Sequence, residues 1–130
     1  MPNERRAFPK IAVDGRANLL ISGALRQGTL RKVSPSGIEM ECRHHLVERM
    51  SQHKRSSGLY PNVDLEFALP KADDAFGPVR SSCNVSYCRR LSQDTYRVGL
   101  NFVTLTDVDE KRVSDFIHHT YTDTSPISAR

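Results

Sequence analysis

Arg5, Arg6 and Lys10 stand at the head of the chain, and Lys32, Ser34, Ser36 and Gly37 gather in a second stretch, Lys32-Val33-Ser34-Pro35-Ser36-Gly37. These residue types suit an anionic guest. An arginine guanidinium presents a planar fork that holds a phosphate, or the O6 and N7 edge of a guanine, by two hydrogen bonds, whereas Lys10 offers a flexible point charge. Ser34 and Ser36 can tie their hydroxyls to nearby backbone, and Pro35 fixes one φ angle. Gly37 leaves room for a positive φ or for close approach of another molecule. A plain turn and an ordinary basic N-terminus would use the same residues, so the two stretches carry meaning as a pair.

Other chemistries find less. There is no glycine-rich phosphate loop with its lysine, no nucleophile elbow and no paired-histidine metal motif, so an enzyme is not expected. His44-His45 and His118-His119 are sequence neighbours that diverge on regular elements, and nothing stands at a metal-finger spacing beside them; no metal site and no cofactor are expected. Cys42, Cys83 and Cys88 are odd in number and predict free thiols in a reducing, cytoplasmic setting. Cys83 and Cys88, five apart, would point to opposite faces of one regular strand. Lys54, Arg55 and the serines of the 51–58 stretch either bind a phosphate or belong to a solvated insertion.

The chain of 130 residues fits one domain, large enough to bury roughly two-thirds of its unfolded surface. A hydrophobic fraction of 38% and a charged fraction of 26% indicate a folded, soluble domain. No run approaches the ~18 apolar residues of a membrane span, and Met-Pro-Asn-Glu-Arg-Arg has no apolar secretion-signal core behind it. The net charge of +4, from 19 basic and 15 acidic residues, permits anionic partners without demanding a long nucleic acid. Aromatics make up only 7% of the chain and fall mostly at expected core positions, which also disfavours stacking on nucleic acid. Arg5, Arg6, Lys10, Arg26, Arg31, Lys32, Arg89 and Arg90 belong either to one basic face or to scattered solvated positions, while Asp107, Asp109, Glu110 and Asp115 collect near the C-terminus.

The elements that would position these residues are mostly strands. After an arm ending at Pro9, Ile11-Ala12-Val13 leads through a bulge or bend at Asp14-Gly15 into a strand over 16–21. Strands follow at 25–33 and 38–42, with a short helix over 44–50. Val63, Leu65, Phe67 and Leu69 alternate with polar residues, predicting a half-buried strand over 63–69. Residues 79–90 form the next, with Val79, Cys83, Val85 and Tyr87 assigned to the core, and 96–103 the last, with Tyr96, Val98, Leu100 and Phe102 on one face. Thr106 caps a helix whose first turn is acidic and whose stripe of Val113, Phe116 and Ile117 runs to about His119. A polar tail with Pro126 is expected to fray. About six antiparallel strands and a closing helix predict a small barrel, because closure hides the strand edges.

Three segments then resemble a known family. Glu4-Arg5-Arg6-Ala7-Phe8-Pro9-Lys10-Ile11, Lys32-Val33-Ser34-Pro35-Ser36-Gly37 and Tyr96-Arg97-Val98-Gly99-Leu100-Asn101-Phe102, followed by the helix, together look like a PilZ domain over approximately residues 4–119. The resemblance implies an all-β, six-stranded antiparallel PilZ-like barrel with a C-terminal helix, here with a short helical insertion, that binds cyclic di-GMP and relays it to a protein partner. Residues 1–11 would be a flexible basic arm, 12–119 the barrel and its helix, and 120–130 a polar tail. The family's R-x-x-x-R falls on Arg6 and Lys10, with Arg5 adjacent, and its D/N-x-S-x-x-G on Lys32, Ser34 and Gly37.

Two of those positions depart from the motif. Lys10 keeps the charge without the fork, which weakens guanine recognition more than phosphate attraction. Lys32 replaces an acceptor by a donor, a loss on the order of 1–3 kcal/mol, with phosphate contact as a partial compensation. Two expectations follow: a receptor of weak or altered affinity using Arg5, Arg6, Lys10, Lys32, Ser34 and Gly37, or a PilZ-like interaction module that does not bind the nucleotide. The second would act through the 44–58 insertion or the C-terminal helix, and either would signal through a protein partner or self-association.

Overall fold

The computed structural model describes residues 10–21, 23–52, 62–69 and 78–124. The strands are β1 (Ile11–Ile21), β2 (Ala24–Ser34), β3 (Gly37–Arg43), β4 (Val63–Phe67), β5 (Val79–Arg90) and β6 (Thr95–Thr104). Helix α1 (His44–Ser51) follows β3, and α2 (Asp107–Thr124) follows β6. The strands close into an antiparallel barrel in the order β1-β2-β3-β6-β5-β4, with β4 returning to β1 through Leu19↔Leu65 and its neighbours. The closure that the alternating sequence predicted is therefore present, and every strand has two partners.

Alternation decides what fills it. Leu19, Leu30, Met40, Leu65, Phe67, Val98 and Leu100 point inward and are buried, and Phe67 stacks against Phe102 with ring centroids 6.1 Å apart. Leu46 and Met50 of α1 and Val113 and Ile117 of α2 add helical surface to the same core. Thr106 caps α2 as expected, its Oγ1 accepting the Asp109 amide at 3.1 Å. The chain reverses between β1 and β2 at Gly23, whose φ of 80° is the left-handed conformation that glycine adopts at least cost.

Bulges account for the main departures from the sequence reading. β1 begins at Ile11 rather than at residue 16, because the irregularity between Ala12 and Gly15 shifts register without ending the strand. In β5, two residue steps from Val85 to Tyr87 match one step of β6 from Leu100 to Gly99. That extra residue reverses the alternation. Tyr87, expected inside beside Val85, turns to the outer surface, and Cys88 turns inward opposite Val98. Cys83 and Cys88 consequently share the inner face instead of lying on opposite ones. Helix α2 continues to Thr124, past the end expected near His119.

Candidate functional site

The β2–β3 turn is built by its serines. The Ser36 amide donates to Ser34 Oγ at 3.3 Å, Ser34 Oγ donates to the Gly37 carbonyl at 3.3 Å, and the two hydroxyls lie 3.2 Å apart. Ser34 is buried, so its hydroxyl holds the bend from within. The Ser36 carbonyl accepts the Phe102 amide at 2.9 Å and fastens the turn to β6. Gly37 answers to the same strand: a Cβ there would stand 2.0 Å from the Leu100 carbonyl oxygen. The space that a side chain at Gly37 would need is thus taken by the chain's own β6 backbone, a third use beside the positive φ and the close approach of another molecule that the sequence suggested. Gly23 is the positive-φ glycine among the described residues.

Beside the turn, a row of outer-face residues crosses four strands. Lys32 is the register partner of Glu39, Glu39 of Gly99, and Gly99 of Tyr87. Because Gly99 has no side chain, the Tyr87 ring packs closely against β6 there, and its hydroxyl crosses to donate a hydrogen bond to Glu39 Oε2. Lys32 Nζ and Arg97 Nη1 each stand 3.8 Å from Glu39 Oε1. Both are ion pairs beyond hydrogen-bond length. Glu39 is only 5% exposed, and its Oε1 has no hydrogen-bond partner among the described residues. Burial, with the Glu39 carboxylate as acceptor and neighbouring charge, pushes the Tyr87 phenol up to about 12. Tyr87 is therefore a proton donor to Glu39 throughout the neutral range.

The surrounding cations are similarly engaged. Arg97 reaches Glu41 at 3.5 Å, and Arg31 contacts both Glu41 and Asp14 at 3.3 Å. The basic residues here are thus interleaved with carboxylates. Lys10 arrives from the N-terminal side with its ammonium 5.7 Å from the centre of the Tyr87 ring, a cation–π distance. Of the six residues singled out from sequence, Lys10 and Lys32 border this row, while Ser34 and Gly37 form the adjoining turn. Arg5 and Arg6 lie outside the described residues, as do Lys54 and Arg55.

Sequence reasoning did not pick out Glu39, Gly99, Tyr87 or Arg97 as site residues. The sequence signal available was the alternation of apolar and charged residues in Ile38-Glu39-Met40-Glu41, which sets Glu39 on the outer face beside the motif. What faced it depended on strand pairing and on the β5 bulge.

The histidines have other partners. His44 Nδ1 lies 3.2 Å from the Tyr96 hydroxyl, and His119 Nδ1 lies 2.9 Å from the Asp115 carbonyl. No group of three or more His, Cys, Asp or Glu that could hold a metal occurs among the described residues. No helix among them is long and apolar enough to cross a membrane. Burial raises the Cys42 thiol to about 12 and the Cys83 thiol to about 11, and none of Cys42, Cys83 and Cys88 is in a disulfide.

Comparison with known proteins follows the same outline. The family model of the PilZ domain matches residues 4–119. The Bacillus subtilis inhibitor of motility (MotI/DgrA) superposes with a TM-score of 0.68 at 10% identity, covering 92% of this chain and 52% of that one. The K. pneumonia MrkH–c-di-GMP complex gives 0.64 at 15% identity, over 93% and 54%. The PilZ domain of YcgR from Escherichia coli, solved with c-di-GMP, gives 0.61 at 10% identity over 97% and 98%. The chain spans about half the length of the first two proteins and nearly the whole of the third. No curated protein matches it by sequence.

Proposed function

The chain belongs to the PilZ domain family, and from that premise we propose that it is a cytoplasmic receptor domain for cyclic di-GMP, of reduced or altered affinity, which passes the signal to a protein partner. Two of the structural neighbours named above were solved with this nucleotide. The observation that supports the reading is the position of Lys10, the described member of the first stretch, near the row that includes Lys32 of the second. Lys10 sits over Tyr87, and Tyr87 ends the row that begins at Lys32, beside the serine turn. The ligand residues proposed are Arg5, Arg6, Lys10, Lys32, Ser34 and Gly37. The basic residues supply attraction for two phosphates and for guanine edges, while Gly37 keeps the turn close to β6.

Reduced affinity follows from the local charges. Lys32 faces Glu39 at 3.8 Å and Arg97 is shared between Glu39 and Glu41, so an entering phosphate competes with carboxylates already in place. The same pairing favours a second reading, in which the barrel serves as an interaction module without the nucleotide. Isothermal titration with cyclic di-GMP separates them. The receptor reading predicts saturable heat at protein concentrations near ~100 μM and a loss of about tenfold or more in Arg6→Ala, the scale of one charge-assisted hydrogen bond. Absence of heat from the folded protein supports the interaction module, and binding unchanged in Arg6→Ala rejects the assigned face.

A further inference from the structure

Glu39 is a buried carboxylate in an unusual condition. One oxygen accepts from Tyr87, while the other has ion pairs at 3.8 Å and no hydrogen bond among the described residues. A buried acceptor left without a donor loses its hydration and gains little in return. Among the described residues, the Tyr87 hydroxyl, Lys32 and Arg97 stand against Glu39. Tyr87 is only partly buried and rests on Gly99, where no side chain grips its underside. Rotation of Tyr87 about its own side-chain bonds would take its hydroxyl away from the carboxylate and bare the backbone of Gly99, the register partner of Glu39, with Lys10 close to the place the ring had held.

Lys32 and Glu39 are direct register partners on neighbouring strands, and only one of them is an acceptor. Guanine carries two donors on one edge, N1–H and the N2 amino group, which match the two oxygens of a carboxylate. The ammonium of Lys32 can meet none of them.

Resting on the receptor reading above, we infer that Glu39 is the guanine-specifying acceptor of this chain, and that Tyr87 is an internal stand-in for the base: the nucleotide displaces the ring from Gly99 and takes its hydrogen bond to Glu39. Lys32 then remains beside Glu39 as the neighbouring cation, available to a phosphate. The exchange substitutes one planar ring on Gly99 for another and one donor to Glu39 for two. It makes Glu39 a specificity determinant and Tyr87 a competitor for its own site.

The test is isothermal titration of the full chain and its Glu39→Gln and Tyr87→Phe variants with cyclic di-GMP and with its inosine analogue, which keeps N1–H but lacks the amino group. Circular dichroism melts would show that each variant is folded. The expected results are at least tenfold weaker cyclic di-GMP binding in Glu39→Gln, several-fold tighter binding in Tyr87→Phe, and weaker binding of the inosine analogue to the unaltered protein. If Glu39→Gln does not fold, the inosine comparison on the unaltered chain decides. Equal affinity for the two nucleotides, or undiminished binding in Glu39→Gln, overturns the role of Glu39 and leaves the receptor reading standing. No binding by the unaltered chain, with binding gained in Tyr87→Phe and lost again in Tyr87→Phe/Glu39→Gln, upholds the exchange and restricts the receptor reading to the uncovered state. No binding by any variant overturns both.

Discussion

The Tyr87 ring rests on Gly99, its register partner on β6, so closely that a Cβ on Gly99 would come within 2.2 Å of the ring. The contact explains how a side chain on β5 reaches Glu39 on β3, two strands away. Gly99→Ala must therefore drive the ring off the sheet or strain the strand. We expect a loss of about 1–3 kcal/mol in urea denaturation, the usual range for overpacking. Most of that loss should vanish when Gly99→Ala is made in a Tyr87→Ala background, because the clash then has no second member. An undiminished cost there would place the defect in the β6 backbone instead.

Gly37→Ala should be the harsher change. The added methyl would meet the Leu100 carbonyl at 2.0 Å and the Asn101 Cα at 3.0 Å, and these are backbone atoms inside a closed barrel that cannot swing aside. A cost of about 3 kcal/mol or more is expected. Nucleotide titration of this variant is informative only where the melt shows it folded.

Much of the barrel was readable because its strands alternate cleanly. Val63 to Phe67 and Tyr96 to Phe102 declare their inner faces by period two, and Thr106 with the acids after it announces a helix start. Tyr87 was misassigned for a specific reason. A bulge leaves no composition of its own in Cys83-Asn84-Val85-Ser86-Tyr87-Cys88, and one added residue moves every later side chain to the other face. The candidate site was half legible for a related reason. Lys32, Ser34 and Gly37 are close in sequence, whereas the Glu39, Gly99 and Tyr87 row exists only through pairing of β3, β6 and β5.

The buried thiols set an alkaline limit. Cys42 is raised from 9.0 to about 12 and Cys83 from 9.0 to about 11, chiefly by burial. Between those values the unfolded chain releases a proton that the folded chain retains, so stability is full below about pH 9 and falls as pH rises through the folded values. Each thiol should contribute a slope of about 1.4 kcal/mol per pH unit within its window. Urea melts from pH 8.5 to 11 should fall less steeply in Cys83→Ala than in the unaltered protein. Parallel slopes would show that Cys83 does not titrate in this way. Below pH 9, both thiols should resist alkylation until the protein is unfolded.

Asp94 ties α1 to the β5–β6 turn. Its carboxylate accepts from Arg43 Nε at 2.7 Å and from the His44 amide at 3.2 Å, and these bonds hold its carboxyl below the ordinary value of 3.8. Arg43 itself provides no side-chain cap for the helix. Asp94→Ala should accelerate hydrogen exchange at His44 while leaving the barrel strands protected. Acidification should mimic the variant only below pH 3.8, since the contact is present above that range and is lost as pH falls through the depressed value. Unchanged exchange at His44 would show that the helix start does not depend on Asp94.

The outer face proposed for cyclic di-GMP can be mapped directly by adding the nucleotide to isotopically labelled protein and following its amide resonances. Saturable shifts are predicted at Lys32, Ser34, Gly37, Glu39, Tyr87 and Gly99. The Leu20, Leu25 and Glu66 region, on another part of the barrel surface, should stay unmoved. Spectra of the folded chain and of Tyr87→Phe that both stay unchanged, or saturable shifts confined to that other region, would contradict the account.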